Sequence, residues 1–319
     1  RRGLWLTDGT AQGTRLLRTA PDWFFSDEVP RNLVPLRGTH GELGERLVYR
    51  APTALEGLDL GGSNGEPTVA TLSSPYGFGV EDEQLQSLWK WGERAYFLRM
   101  SPSYQVELWA TDGTTAGTVR VKELFYAPIS LFGGVAYIPS FTLVPTARGL
   151  YLLFLEGNQV WRSDGTEAGT IEVFDLDETD EASPQRLLAG IDLGGDLLFT
   201  TWGSQTGVGF WRPSAGELGA ARIAAPILFT LPRKLVVLGD RAYFAAADGA
   251  GLELWVSDGA TYAGCHRVAD INPRRAGSSP RELTVVGDSL FFTADDGVRH
   301  QMWVISAPAT VTALTIPAK

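Results

Sequence analysis

Short runs of apolar residues alternate with turns that contain glycine and aspartate along most of the chain. The clearest stretch is 280–316, where four β-branched and aromatic runs are separated by pairs such as Gly287-Asp288 and by Asp295-Asp296-Gly297. Runs of about four to eight such residues, bounded by Gly-Asp or Asp-Gly, are typical of strands joined by tight turns. No helical spacing of apolar residues of useful length occurs. The pattern therefore predicts a protein built of β-strands.

This four-run plan repeats along the chain, and a tryptophan near the end of the third run marks each copy. The marking residues are Trp5, Trp109, Trp161, Trp211, Trp255 and Trp303. Their spacing is about 50 residues, with a double interval after Trp5 that leaves room for one degenerate unit near Asp59. A period of this size belongs to propellers and solenoids, and four strands without a helix are typical of one propeller blade.

The repeat predicts an all-β fold, a β-propeller of four-stranded antiparallel blades that forms a single domain over 1–319. Seven blades are expected with the first incomplete, and six blades plus an extra hairpin is the alternative. The predicted blade units are 1–18, 32–72, 84–124, 141–176, 185–224, 234–268 and 280–316. Because the chain begins inside a unit and lacks an apolar leader, we expect that an upstream part is missing here.

The most regular copy of the unit is Glu107–Thr118. Its Asp112-Gly113 pair predicts the hairpin between strands three and four, because glycine accepts a positive φ and aspartate accepts hydrogen bonds from nearby backbone N–H groups. Its second glycine, Gly117, is expected to relieve crowding where strand four begins. Trp109 is expected to pack between neighbouring blades, with the leucine before it on the opposite face. We interpret these repeated residues as scaffold rather than as a ligand or Ca²⁺ site.

Composition excludes several classes of function. A net charge of −10 and an isoelectric point near 4.9 are unsuited to a phosphate-binding surface, so no nucleic-acid partner is expected. No apolar run of about 18 residues is present, which argues against a membrane span. The lone Cys265 excludes an internal disulfide and is interpreted as a small buried apolar side chain.

The repeated core, together with Asp270–Pro273 and Leu290–Gly297, resembles the ELWxxDGT repeat found in secreted or surface proteins of bacteria, often myxobacteria and Bacteroidetes. The resemblance covers essentially the whole chain. It implies a β-propeller outside the cytoplasm, at the outer cell surface or in the extracellular space. It implies no shared catalytic activity and no catalytic residue set.

No familiar catalytic or metal-binding pattern is found in the sequence. His40, His266 and His300 lie in three different units, and their spacing does not predict a zinc site. The acidic run 175–181 could offer oxygens to Ca²⁺, but a solvated loop is the favoured interpretation. We therefore predict no enzyme, no cofactor and no metal, with Ca²⁺ as a weak alternative.

The connections from strand four to the next strand one are the favoured binding segments, because loops at one end of a propeller commonly carry function. Aromatic side chains in these loops could stack on sugar rings or anchor a protein, although filling gaps between blades is the competing interpretation. The candidate binding residues are Trp23, Phe24, Phe25, Tyr76, Phe78, Phe125, Tyr126, Arg274 and Arg275.

The leading functional hypothesis is a non-enzymatic extracellular propeller that binds a glycan or a protein partner through these loops. One alternative is a hydrolase or lyase that uses acidic residues around a central channel. A second is a structural subunit of a larger extracellular assembly. The oligomeric state is left open by the sequence.

Overall fold

The protein was analysed as a computed structural model. The structure describes residues 3–7, 9–19, 31–37, 43–51, 54–59, 68–73, 88–101, 103–126, 140–155, 157–176, 185–203, 207–214, 219–223, 233–249, 251–273, 277–306 and 310–313. These residues form strands β1 to β26, and none of them lies in a helix. Within this described part, no helix is therefore long and apolar enough to cross a membrane.

The chain divides into two compact units, and the first comprises 1–139 and 165–170. It contains three sheets, which we call blades 1 to 3. Blade 1 is β1 (Gly3–Leu6) and β2 (Arg15–Thr19). Blade 2 is β3 (Arg31–Arg37), β4 (Leu43–Ala51), β5 (Ala54–Asp59) and β6 (Thr68–Ser73). Blade 3 is β7 (Trp89–Trp91), β8 (Arg94–Met100), β9 (Gln105–Thr111) and β10 (Val119–Tyr126).

The second unit comprises 140–164 and 171–319 and contains the strands of blades 4 to 7. Blade 4 is β11 (Phe141–Thr146), β12 (Gly149–Phe154), β13 (Gln159–Ser163) and β14 (Ile171–Asp175). Blade 5 is β15 (Gln185–Leu193), β16 (Asp196–Gly203), β17 (Gly207–Pro213) and β18 (Ala220–Ile223). Blade 6 is β19 (Arg233–Leu238), β20 (Arg241–Ala247), β21 (Leu252–Ser257) and β22 (His266–Arg267). Blade 7 is β23 (Arg281–Val286), β24 (Ser289–Asp295), β25 (His300–Ser306) and β26 (Thr310–Ala313).

Each four-stranded sheet is a meander in which consecutive strands pair antiparallel. Blade 1 has only two described strands, and these correspond to strands three and four of the other blades. The prediction of an all-β propeller with seven blades, the first of them incomplete, is thus confirmed.

The first unit holds its blades together with apolar side chains from facing sheets. Val48 of blade 2 and Phe97 of blade 3 belong to one buried cluster, and Leu4 of blade 1 packs with Tyr49 of blade 2 in another. The second unit repeats this arrangement with larger clusters between blades 4 and 5, 5 and 6, and 6 and 7. Burial of apolar area on both faces of a sheet explains why the strands do not show strict apolar–polar alternation.

The repeated tryptophan and the leucine before it point to opposite neighbours. Trp255 lies in the cluster that blade 6 shares with blade 5, whereas Leu254 lies in the cluster that it shares with blade 7. Trp211 likewise contacts Phe174 of the preceding blade, with ring centroids 5.3 Å apart. Adjacent residues of a strand face opposite sides, so a Leu-Trp pair supplies apolar area to two interfaces at once.

Candidate functional site

The Asp-Gly-Thr hairpin of blade 3 is closed by its own side chains. Asp112 Oδ1 accepts hydrogen bonds from the backbone N–H of Thr114 at 2.8 Å and from its hydroxyl at 2.7 Å. The N–H of Gly113 donates to Thr111 Oγ1 at 3.0 Å, and Thr118 Oγ1 donates to the carbonyl of Thr114 at 2.7 Å. Because the Thr118 hydroxyl proton is used in this way, the contact of 2.7 Å between Thr111 and Thr118 has Thr111 as its donor. The threonines therefore form one continuous chain of hydrogen bonds.

A carboxylate packs directly above the second glycine of the motif. A Cβ added to Gly117 would overlap with the carboxylate of Asp112, and one added to Gly264 would overlap with that of Asp258. The hairpin of blade 6 is one residue longer, yet the N–H of its glycine still donates to the hydroxyl of Thr261 at 2.9 Å. The glycine thus relieves crowding, as the sequence predicts, and the group that it makes room for is the aspartate.

Burial and hydrogen bonding act in opposite directions on the pKa of Asp258, the aspartate in the hairpin of blade 6. Burial acts to raise the pKa of Asp258, but hydrogen bonds from the N–H groups of Thr261 and Ala260 outweigh it and hold the pKa below its usual value. Both carboxylate oxygens of Asp258 accept hydrogen bonds from the hairpin itself. We therefore find no geometry in this hairpin that is directed at a ligand.

The hairpins also contact the neighbouring blade through arginine side chains. Arg46 Nη1 of blade 2 donates to the carbonyl of Asp112 in blade 3 at 3.0 Å. In the second unit, Arg212 Nε of blade 5 donates to the carbonyl of Gly259 in blade 6 at 2.6 Å, and its Nη2 lies 3.3 Å from the carbonyl of Leu193. These contacts support the scaffold interpretation of the repeat.

The glutamate two residues before the tryptophan has a role that the sequence analysis missed. Glu107 is buried and accepts from Trp109 Nε1 at 2.9 Å and from Arg120 Nη1 at 3.0 Å. In blade 6 the equivalent Glu253 instead accepts from the backbone N–H of Ser278 at 2.9 Å and from its hydroxyl at 2.5 Å. The signal available in the sequence was the recurrence of Glu-Leu-Trp in these two units.

Glu253 anchors the segment that leads from blade 6 to blade 7. Leu252 forms a parallel bridge with Gly277, and its carbonyl accepts from the N–H of Ser279 at 2.9 Å. Asn272 Nδ2 donates to the carbonyl of Gly277 at 3.1 Å across the same segment. Burial raises the pKa of Glu253, although its hydrogen bonds from Ser278 oppose the shift. The buried carboxylate is therefore a structural acceptor, and the segment that it holds contains the Asp270–Pro273 motif.

A second buried network lies between blades 4 and 5. The Tyr151 hydroxyl donates to Asp196 Oδ1 at 3.2 Å, and Asp196 Oδ2 lies 3.1 Å from Arg148 Nη1. Burial, followed by the charge of Asp196, raises the pKa of Tyr151 to about 12. A tyrosine with such a pKa stays protonated at neutral pH and serves here as a hydrogen-bond donor.

Cys265 lies directly before β22 and is buried, as the sequence predicts. Burial raises the pKa of its thiol to about 11, so it is present as a neutral thiol at neutral pH. His266 follows it, and its Nδ1 lies 3.2 Å from the carbonyl of Ala263.

No group of three or more His, Cys, Asp or Glu side chains placed to hold a metal ion occurs among the described residues. Asp175 of the acidic run accepts from Gln159 Nε2 at 3.4 Å. The remainder of that run, 177–181, and His40 lie outside the described residues.

Of the nine candidate binding residues, the structure describes Phe125 and Tyr126, both at the end of β10. The other seven lie outside the described residues: Trp23, Phe24, Phe25, Tyr76, Phe78, Arg274 and Arg275. Phe125 is half-buried, whereas Tyr126 is 52% exposed.

Tyr126 forms an exposed aromatic pair with Tyr104, a residue that the sequence analysis did not select. Tyr104 is 48% exposed, and the two rings are arranged edge to face with centroids 6.4 Å apart. The register places Gln105, the next residue after Tyr104, opposite Tyr126. The loop between strands two and three and the end of strand four therefore meet at the same end of blade 3. We call this pair of rings the tyrosine pair.

The loop that carries Tyr104 is closed by its own hydrogen bonds. The N–H of Ser101 donates to the carbonyl of Gln105 at 2.8 Å, and the N–H of Gln105 donates to the hydroxyl of Ser101 at 3.0 Å. The N–H of Tyr104 donates to the carbonyl of Ser101 at 2.9 Å. Ser101 and Ser103 hydroxyls lie 2.9 Å apart. Tyr104 has a φ of 63°, which is unusual for a residue other than glycine. An exposed ring held on a strained backbone by a closed loop is typical of a functional position.

Comparisons with known proteins identify no family. No family model matches the chain, and no curated protein matches it. Among solved structures, a chain from a study of two prolyl endopeptidases is 14% identical with a TM-score of 0.48, covering 91% of this chain and 43% of its own. Virginiamycin B lyase from Staphylococcus aureus is 13% identical with a TM-score of 0.43, and the match covers 91% of this chain and 85% of the lyase chain. A puromycin-hydrolyzing peptidase of Mycobacterium tuberculosis is 12% identical with a TM-score of 0.45, and the match covers 95% of this chain and 48% of the peptidase chain.

These matches correct one prediction. The prediction that the protein is not an enzyme is wrong. The solved structures that match the chain carry the names of enzymes, so an enzymatic role is not excluded. The chain spans less than half the length of the two peptidases. With identities below 25% and TM-scores below 0.5, these similarities carry no argument for any one of the named activities. The order and antiparallel pairing of the strands are those of a β-propeller.

Proposed function

We propose that this β-propeller is an extracellular protein that binds a neutral glycan through the tyrosine pair of blade 3. The observation that carries the proposal is the exposure of Tyr104 and Tyr126 as two rings in edge-to-face contact at one end of the blade. Aromatic side chains have few rotatable bonds, so exposed rings offer apolar area with little loss of conformational entropy on binding.

The chemistry around the rings favours a sugar over a charged polymer. Ser101 and Ser103 belong to the loop that carries Tyr104, and their hydroxyls can exchange hydrogen bonds with a polyol. Sugar rings present apolar C–H faces that stack on aromatic side chains, and hydroxyls at their edges. The net charge of −10 disfavours an anionic polymer, so the expected ligand is neutral.

The extracellular location is supported by the resemblance of the repeat to the ELWxxDGT proteins. The regular copies, such as Glu107–Thr118, carry that resemblance. We propose in addition that the protein belongs to that family.

The test is a glycan array of neutral polysaccharides and oligosaccharides, including β-glucans, mannans and chito-oligosaccharides, probed with the labelled protein. Binding to at least one neutral glycan is expected, together with its loss in Tyr104→Ala and in Tyr126→Ala. Tyr262→Ala is the matched control, because Tyr262 is 60% exposed but lies in the hairpin of blade 6, and it should bind like the wild type.

Two results would overturn the proposal. One is the absence of binding to any neutral glycan on the array. The other is glycan binding that both tyrosine variants retain. Capture of a protein partner in a manner that depends on Tyr104 and Tyr126, without glycan binding, would replace the glycan with a protein ligand.

A further inference from the structure

The loop before strand three follows the same plan in blades 3 and 4. Strand three of both blades begins with a glutamine, Gln105 in β9 and Gln159 in β13. The residue before each glutamine has a positive φ, which is 63° at Tyr104 and 52° at Asn158. The two loops therefore hold equivalent residues in the same left-handed backbone conformation.

Tyrosine is a costly residue at this position of the loop. The left-handed region is strained for residues that carry a Cβ, and asparagine is among those that adopt it most readily. In blade 4 the position holds Asn158, whose Oδ1 also accepts from the N–H of Leu187 at 3.0 Å. In blade 3 it holds Tyr104, whose ring is 48% exposed. Stability does not explain Tyr104, because burial of the ring does not offset the strain of the backbone.

The glutamine that begins strand three also has different partners in the two blades. In blade 4, Gln159 lies opposite Asp175, and its Nε2 donates to Asp175 Oδ2 at 3.4 Å. In blade 3, Gln105 lies opposite Tyr126, and its half-buried side-chain amide makes no hydrogen bond with a described residue. Directly opposed residues have Cβ atoms about 4.5–5.5 Å apart on the same face. A free amide therefore stands beside the Tyr126 ring.

The tyrosine pair forms a corner rather than a flat platform, because the two ring planes are inclined at 68°. A straight β-1,4-linked glycan is a flat ribbon with nearly coplanar sugar faces, so it can stack on one of these rings but not on both. Where a glycan chain turns from one sugar to the next, as in β-1,3- and α-1,4-glucans, neighbouring sugars are inclined and can contact both rings. Contact with both rings buries more apolar area.

We propose that this corner selects neutral glycans whose chain turns, and that Gln105 is a specificity-determining residue that hydrogen-bonds to the sugar hydroxyls. The inference rests on the proposed function, the binding of a neutral glycan by the tyrosine pair. The amide of Gln105 can donate to one hydroxyl and accept from another. It carries no charge, which suits an uncharged ligand.

Hexaoses of glucose test the selectivity for a turning chain, because laminarihexaose (β-1,3), maltohexaose (α-1,4) and cellohexaose (β-1,4) differ in linkage alone. Calorimetric titration is expected to show that laminarihexaose or maltohexaose binds about tenfold or more tightly than cellohexaose, since a turning chain contacts both rings. In Tyr126→Ala this preference should disappear, because a single ring remains for either kind of chain.

Two variants separate ligand binding from stability. Tyr104→Asn introduces the residue that blade 4 carries at the equivalent position, so the urea midpoint of unfolding should be kept or raised while the affinity for the preferred hexaose falls about tenfold or more. Gln105→Ala should lower that affinity about three- to tenfold through lost hydrogen bonds and leave the midpoint unchanged. Gln159→Ala is the matched control in blade 4 and should bind like the wild type.

Equal affinity for cellohexaose and for the turning hexaoses would overturn the selectivity, and wild-type affinity in Gln105→Ala would overturn the role of Gln105. A lower unfolding midpoint in Tyr104→Asn would show that the fold requires the tyrosine. If no hexaose binds while the array shows another neutral glycan bound through Tyr104 and Tyr126, this inference fails and the proposed function stands. Absence of binding on the whole array rejects the proposed function, and the inference with it.

Discussion

Arg212 and Gly259 connect two neighbouring blades through a hydrogen bond of 2.6 Å between the guanidinium Nε and the glycine carbonyl oxygen. Arg212 follows the repeated Trp211 on β17, and Gly259 belongs to the Asp-Gly hairpin of the next blade. In the first unit Arg46, on strand two of blade 2, donates through Nη1 to the carbonyl of Asp112 in the corresponding hairpin of blade 3. In both units the repeated hairpin therefore accepts a hydrogen bond from an arginine of the neighbouring blade, which is a structural role for the repeat.

Loss of this contact should destabilise the fold. Arg212→Ala leaves the carbonyls of Gly259 and Leu193 without their donor, and a cost of about 1–3 kcal/mol in the free energy of unfolding is expected. Urea denaturation followed by tryptophan fluorescence measures it. Arg241→Ala, which removes an exposed arginine with a long ion-pair distance of 3.8 Å to Asp240, should change stability by no more than about 0.5 kcal/mol. Equal effects of the two substitutions would contradict this role for Arg212.

The second glycine of the motif should not tolerate a methyl group. Gly117→Ala places a Cβ against the carboxylate of Asp112, and a loss of about 1–3 kcal/mol is expected from overpacking. Gly157→Ala is the matched control, because a Cβ there meets only the end of the Gln159 side chain at 3.7 Å. Thermal denaturation of both variants tests the difference, and an unchanged melting temperature in Gly117→Ala would refute the steric explanation.

Glu253 should make stability depend on pH in a defined direction. Burial raises its folded-state pKa above the ordinary value of 4.5, so the folded protein binds the proton more tightly than the unfolded chain does. Stability from this group is present in full below pH 4.5 and falls as the pH rises towards the raised pKa. Glu253→Gln removes the titration, while its amide can still accept from the N–H of Ser278 and donate to its hydroxyl.

We therefore expect Glu253→Gln to flatten the pH profile of unfolding above pH 4.5 and to be at least as stable as the wild type at neutral pH. Denaturant titrations from pH 4 to pH 8 measure this, with Glu167→Gln as the control at an exposed carboxylate. A variant that is less stable than the wild type at neutral pH would show that the ionised carboxylate is required.

The indole N–H groups of the repeated tryptophans are not equivalent. Trp211 Nε1 donates to Thr201 Oγ1 at 2.9 Å, whereas Trp255 Nε1 is buried and no described residue accepts from it. Trp211→Phe should thus cost about 1 kcal/mol more than Trp255→Phe, because it also removes the hydrogen bond from Trp211 Nε1 to Thr201 Oγ1. Chemical denaturation of the two variants gives the comparison, and a larger loss for Trp255→Phe would contradict it.

The fold could be predicted from the sequence because its determinants are local and repeated. Asp112-Gly113 specifies a hairpin through the backbone preference of glycine and local hydrogen bonds of the aspartate, and the same pair recurs in other units at a constant distance after the tryptophan. The burial of Cys265, next to β22, and the packing of Trp255, on β21, follow from their positions in a sheet that is covered on both faces. Such features need no knowledge of distant contacts.

The candidate site could be predicted only in part, because it depends on residues that are distant in sequence. Tyr126 could be selected as an aromatic residue at the end of strand four. Tyr104 could not, since its exposure depends on a loop whose hydrogen bonds close around Ser101. The partner of Glu253 was equally hidden, because Ser278 lies 25 residues away and reaches the carboxylate only in the folded chain.

We propose that the repeat is scaffold and that ligand binding depends on the tyrosine pair, and one measurement tests this most directly. Calorimetric titration with a neutral oligosaccharide, such as a chito- or β-gluco-oligosaccharide that the array identifies, compares the wild type with Tyr104→Ala and with Gly117→Ala at a temperature where both variants are folded. We predict that Tyr104→Ala loses about tenfold or more in affinity with unchanged stability, and that Gly117→Ala loses stability with unchanged affinity. The opposite pattern, in which the hairpin substitution abolishes binding and the tyrosine substitution does not, would contradict the account.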